Sequence, residues 1–194
     1  VDDERLGMDA LEQMRRGDVV QIDTSGSGTI TKDTGTSTAN PVGVFMGCQY
    51  ISATTGQLTF GQYYPASLAV KSGSIITAFV ADDPDQLFKV VNVAGTTADG
   101  NGLTPAYLGR TVIGSNAALV QNTGSTTTGD STVAIYTAAG ATTTATLPIR
   151  IIDVVPDTAN SSGNFCEFIV KWNAPNVTGQ TVAGGHQYLN PTGV

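Results

Sequence analysis

The sequence predicts a mainly β fold, an antiparallel β-barrel or β-sandwich with a short N-terminal helix or arm. Three observations lead there. Charged residues make up only 13% of the 194-residue chain, and Gly, Thr, Ser and Ala fill the space between apolar runs. Those runs are short, and Gly, Asn, Asp and Pro turns separate them, as in sandwiches and barrels. After residue 17 no helical periodicity alternates with them, which argues against a Rossmann-type fold.

Residues 1–16 form the one stretch with helical character. Leu6, Ala10 and Met14 recur every fourth residue with Leu11 beside them. Acids (Asp2, Asp3, Glu4) crowd the start and Arg15 and Arg16 the end, which suits a helix dipole, and Gly17 ends the pattern. This segment is expected to be a short packed helix or an arm docking on a neighbouring subunit.

From residue 17 to residue 194 the chain reads as a single β-rich domain, long enough to remove roughly 70% of its unfolded surface from water. Asp18–Ile22 and Thr29–Lys32 flank a Gly-containing loop and predict a hairpin. Val42–Ile51 follows, with Val42, Val44, Met46, Cys48 and Tyr50 expected on one face and Gly43, Phe45, Gly47 and Gln49 on the other. Gly43 and Gly47 inside a strand predict a bulge or close backbone approach. Further runs are Ser74–Ala81, Leu87–Val93, Ser131–Ala138, Ala145–Val155 and Asn164–Trp172. In the last, Cys166, Phe168, Val170 and Trp172 alternate with Glu167 and Lys171, which implies one buried and one wetter face of an antiparallel sheet. Residues 90–147 carry only Asp99, Arg110 and Asp130 as charges. Thr and Ser hydroxyls hydrate such a stretch, or a partner covers part of it.

The net charge of -7 argues against a surface that neutralises phosphates, so no nucleic-acid partner is expected. No apolar run approaches the roughly 18 residues needed to span a bilayer, and the N-terminus lacks a signal-peptide layout. Cys48 and Cys166 lie far apart inside strand-like runs and are expected to be buried free thiols.

No catalytic, cofactor or metal residues are assigned. Asp23 and Asp33 (in Asp33-Thr34-Gly35) invite comparison with a protease dyad, but they lie in one hairpin region and Lys32 precedes Asp33, so a turn is the better reading. Asp82, Asp83 and Asp85 cluster without the ligand intervals of a calcium loop, and Asp83-Pro84 initiates turns. His186, the single histidine, has no nucleophile elbow to serve. Gly26-Ser27-Gly28 neither runs into a helix nor ends as a phosphate loop does. Asn160 and Asn176 begin chance matches to the glycosylation pattern. Tyr63-Tyr64-Pro65 is expected either to form an exposed aromatic platform or to close a barrel end.

Several blocks together resemble tailed-phage virion proteins common among marine phages and similar to capsid decoration or cement proteins. They are Arg16-Gly17-Asp18-Val19-Val20, Pro41-Val42-Gly43-Val44-Phe45-Met46-Gly47-Cys48-Gln49-Tyr50 and Phe60-Gly61-Gln62-Tyr63-Tyr64-Pro65-Ala66. The series continues with Ala81-Asp82-Asp83-Pro84-Asp85-Gln86-Leu87-Phe88, Ala117-Ala118-Leu119-Val120, Leu147-Pro148-Ile149-Arg150-Ile151 and Gly185-His186-Gln187-Tyr188. The resemblance covers residues 17–194 and does not extend to the acidic N-terminal segment. It implies a non-enzymatic virion structural protein, made in the bacterial host cytoplasm, that binds the outer capsid surface and stabilises subunit junctions. The implied partners are the major capsid protein and further copies of the chain, with a trimer at three-fold positions. The alternative it leaves is another virion component, a tail or head-fibre protein contacting host glycans through Tyr63 and Tyr64.

Overall fold

The computed structural model describes residues 13–23, 28–65, 68–93, 109–136, 143–158, 165–174 and 184–191. In chain order the strands are β1 (Met14–Arg15), β2 (Val19–Ile22), β3 (Ile30–Lys32), β4 (Gly43–Ile51), β5 (Leu58–Gly61) and β6 (Tyr63–Tyr64). After them come β7 (Thr77–Ala81), β8 (Phe88–Val93), β9 (Asn116–Val120), β10 (Ala134–Tyr136), β11 (Ile149–Val154) and β12 (Glu167–Trp172).

The C-terminal strands close into a barrel in the order β10-β8-β12-β11-β9, with β9 returning to β10. Its pairings are antiparallel except β8 with β10, which run parallel. A parallel pair needs a long crossover, and the chain between these two strands supplies it and includes β9. Packed beside the barrel is a five-stranded sheet in which β4 pairs with β2 and β5 along one edge and with β7 along the other.

Each layer owns a core. Inside the barrel, Leu119, Ile135, Ile149, Ile151, Phe168 and Trp172 pack with Val19 and Ala39 from the sheet side. The alternation in β12 is as the sequence implies: Cys166, Phe168, Val170 and Trp172 are all buried. A second core gathers Met14, Val20, Val42, Phe45, Cys48, Tyr64 and Ile76. Across the strands from the barrel core, Val93, Val120 and Ala134 form a third cluster.

Two expectations are corrected. Residues 1–12 of the expected helix lie outside the described residues, but its end is not helical: Met14 and Arg15 pair as a strand with Tyr64 and Tyr63. Burial of Met14 in the second core, a non-local contact, decides its conformation over the local four-residue spacing. In β4 the register against β7 slips between Phe45 and Gly47, a bulge at Met46. The bulge turns Met46 outward and puts Phe45 and Cys48, predicted on opposite faces, into one core. Both glycines of this strand are needed for close approach. A Cβ at Gly43 would lie 2.3 Å from the Ala81 carbonyl oxygen, and one at Gly47 2.8 Å from that of Gly61.

Candidate functional site

The acidic candidates are dispersed, and Asp33, Asp82, Asp83 and Asp85 each have a structural task. Asp23 follows β2 at one end of the hairpin, while the Asp33 amide donates to the Val19 carbonyl at the other. Four residues of strand separate them, roughly 13 Å at the usual rise. Asp33 accepts from the Gly35 amide (2.7 Å) and the Asn40 amide (2.8 Å), so it folds the loop after β3. Burial pushes its pKa up, and these two bonds partly oppose that.

Asp83 accepts from the Asp85 amide at 2.8 Å and its carbonyl from the Gln86 amide, forming the turn the Asp-Pro pair predicts. Asp85 pairs with Lys171 at 2.7 Å, and the hydrogen bond from that ammonium lowers the Asp85 pKa. Among the described residues no group of three or more His, Cys, Asp or Glu could hold a metal ion.

His186 comes close to Asp82, a juxtaposition that sequence reading missed because 104 residues separate them. The Tyr188 hydroxyl donates to Asp82 (3.4 Å), and the His186 ring lies 5.3 Å from Tyr188 and 6.3 Å from Trp172. The imidazole is fully buried, and its Nδ1 accepts from the Tyr188 amide. Burial lowers its pKa first of all. The backbone of Val42 and Asp82 and the charges of Asp82 and Asp83 partly offset this. With no exposed atoms, this ring is placed to lock the C-terminal segment. Around it Gly185 donates to Ala39, His186 to Asn173 and Gln187 to Pro41, which ties the segment to both layers.

Cys48 and Cys166 are buried free thiols, in the second core and the barrel core respectively. Burial pushes the Cys48 pKa up to about 11, so it is not a thiolate nucleophile near neutrality. The aromatic platform expected of Tyr63 and Tyr64 is absent. Tyr64 is 3% exposed and packs in the second core, because strand pairing with β1 holds the pair down. It does not close the barrel end either.

Two exposed aromatics, Phe60 and Phe79, lie elsewhere, on the outer face of the five-stranded sheet. Antiparallel partners share a face, so the pairs Gln49 with Phe60, Ile51 with Leu58 and Gly47 with Phe79 place these residues together, opposite Cys48 and the second core. Phe60 is 67% exposed, Leu58 58% and Phe79 44%, and the bulged Met46 is exposed next to Gly47. No Asp, Glu, Lys or Arg occurs from residue 34 to residue 70, nor in β7. The face is therefore apolar and uncharged on a chain of net charge -7. Sequence reading sought the weakly charged region in residues 90–147, where Arg110 pairs with Asp153 and Asp130 with Arg16.

Fold and surface together define a class: an antiparallel sheet fused to a closed five-stranded barrel, with an apolar outer sheet face and no helix among the described residues long and apolar enough to cross a membrane. No family model matches the chain, and no curated protein or solved structure matches it either.

Proposed function

We propose that the chain is a virion structural protein that binds the outer surface of a phage capsid and stabilises subunit junctions. The observation that carries this reading is the uncharged outer sheet face of Leu58, Phe60 and Phe79. Contiguous exposed apolar surface of this kind marks macromolecular contact. The block resemblance to decoration proteins supplies the partner, the major capsid protein. It also supplies the association of copies into trimers at three-fold positions.

The physics of the role is modest. Each Leu or Phe side chain taken from water contributes roughly 1.5–3 kcal/mol, and repetition over many copies raises the cost of opening a capsid under internal pressure. Rigid layers suit the task, since little ordering entropy is lost on docking.

The test is occupancy on purified heads. The expected result is a fixed, stoichiometric number of copies per head, lowered by Phe60→Asp with the fold retained. Absence of the protein from heads overturns the reading. Sedimentation of the isolated chain checks the trimer.

A further inference from the structure

We propose that the barrel mouth is a binding site for a small, neutral, mostly apolar molecule. This inference does not depend on the capsid reading, since it concerns an enclosed space where barrel and sheet meet at Val19 and Val44, and not the exposed surface of Leu58, Phe60 and Phe79.

A cavity of about 230 Å³ lies there, walled by Val19 and Val44 from the sheet and by Phe88, Leu119, Val133 and Trp172 from the barrel side. Protein interiors pack like organic crystals and leave few voids larger than a water molecule. An apolar cavity of about 150 Å³ already accepts benzene. The barrel core is also incomplete on this side. Its half-buried apolar members, Val44, Phe88, Val90 and Val133, all line the cavity. Their remaining exposure is thus toward one shared space.

Trp172 lines this space and is itself only 2% exposed, but its Nε1–H is sealed from the cavity and makes no contact there.

The polar lining residues set the charge of the ligand. Lys89 is engaged by Glu167 at 3.0 Å, and the Ser131 hydroxyl donates to Asp18 at 2.5 Å. With both engaged and the rest of the lining mainly apolar, the geometry points to a neutral molecule such as a small cyclic or short aliphatic compound.

The chain has one tryptophan, so the indole N–H gives a single resonance in a nitrogen-correlated NMR spectrum. Cyclohexanone is the probe, added to the full chain. The expected result is a saturable shift of the indole resonance and of the Leu119 and Val133 methyl signals. Val133→Phe, which fills the cavity, weakens binding by at least about tenfold while methyl dispersion shows a folded chain. Should that variant fail to fold, Val44→Phe fills the same space from the sheet side. A linear shift up to the solubility limit, or binding indifferent to a folded cavity-filling variant, overturns the site.

Discussion

Val19 and Val20 are consecutive in β2, yet Val19 packs in the barrel core and Val20 in the sheet core. Successive strand residues point to opposite faces, so a strand with both faces buried can serve two layers at once. Backbone bonds reinforce the join: the Val42 amide donates to the Val20 carbonyl, and the Phe45 amide to that of Asp18. The two cores are thereby expected to unfold together. Val19→Ala and Val20→Ala should each lower stability by about 2 kcal/mol, and both should shift one shared transition. Trp172 fluorescence reports on the barrel and far-ultraviolet circular dichroism on all strands. Were Val20→Ala to leave the Trp172 transition in place, the cores would be independent units.

A fully buried carboxylate sits beside this junction. Asp18 accepts from the Arg15 amide at 2.9 Å and pairs with Lys32, whose side chain is 14% exposed, at 3.2 Å. With Ser131 also donating to it, Asp18 links β1, the β2–β3 hairpin and the segment that leads into β10. Removing one partner of a buried pair leaves the other desolvated and uncompensated. Asp18→Ala is expected to cost about 3–5 kcal/mol in denaturant unfolding. Lys32→Met should cost less, because Asp18 keeps two hydrogen-bond donors. The reverse ranking would mean that Lys32 is the residue held in place.

How far the sequence exposed this architecture depends on whether a signal was local. The β12 alternation and the hairpin ends at Ile22 and Ile30 needed only neighbours in the chain, and they are where the pattern puts them. Gly43 and Gly47 announced close approach correctly, but the side of Phe45 depended on a one-residue slip against β7 that no local pattern records. Met14 is the clearest loss. Its spacing from Leu6 and Ala10 is helical, whereas its partner Tyr64 lies 50 residues away. The β5 strand went unrecognised because Leu58-Thr59-Phe60-Gly61 presents its apolar residues to the outside, which inverts the usual reading of an alternating run. The exposed apolar face was missed for the same reason.

Gly184 marks the tightest backbone approach in the C-terminal lock. Its φ is +58°, and an added Cβ would fall 1.7 Å from the Thr146 carbonyl oxygen. Gly184→Ala must therefore displace backbone, and its expected cost is about 3 kcal/mol or more. Gly56 is the control: its φ is +69° but nothing lies within 4 Å of a Cβ there. Gly56→Ala should cost only about 1 kcal/mol, the left-handed penalty alone. Equal losses for the two variants in thermal unfolding would show that the contact with Thr146 is not what constrains residue 184.

The two thiols provide a chemical readout of the cores. Both are buried, and Cys48 is held protonated by its raised pKa. Thiolate is the reactive form, so neither should react appreciably with a disulfide reagent at pH 8 in the native state. Both should react at once in denaturant. Rapid modification of one thiol in native conditions would reveal local opening of the layer that contains it.

The pH dependence of stability should run through His186. Burial depresses its pKa in the folded chain relative to the unfolded value near 6.5. Below about pH 6.5 the unfolded chain takes up a proton that the folded chain resists, so the stability contributed by the neutral ring is complete above that pH and declines on acidification through the folded pKa. Asp33 acts in the opposite sense. Its raised pKa favours the folded state as the pH falls from its folded value toward the unfolded value near 4. Between pH 7.5 and pH 5.5 the His186 effect should dominate, and the melting temperature should drop. His186→Gln removes the titration while leaving an acceptor for the Tyr188 amide, so the drop should shrink in that variant even if its stability at pH 7.5 is lower. The same drop in both proteins would move the origin of the acid sensitivity away from the C-terminal lock.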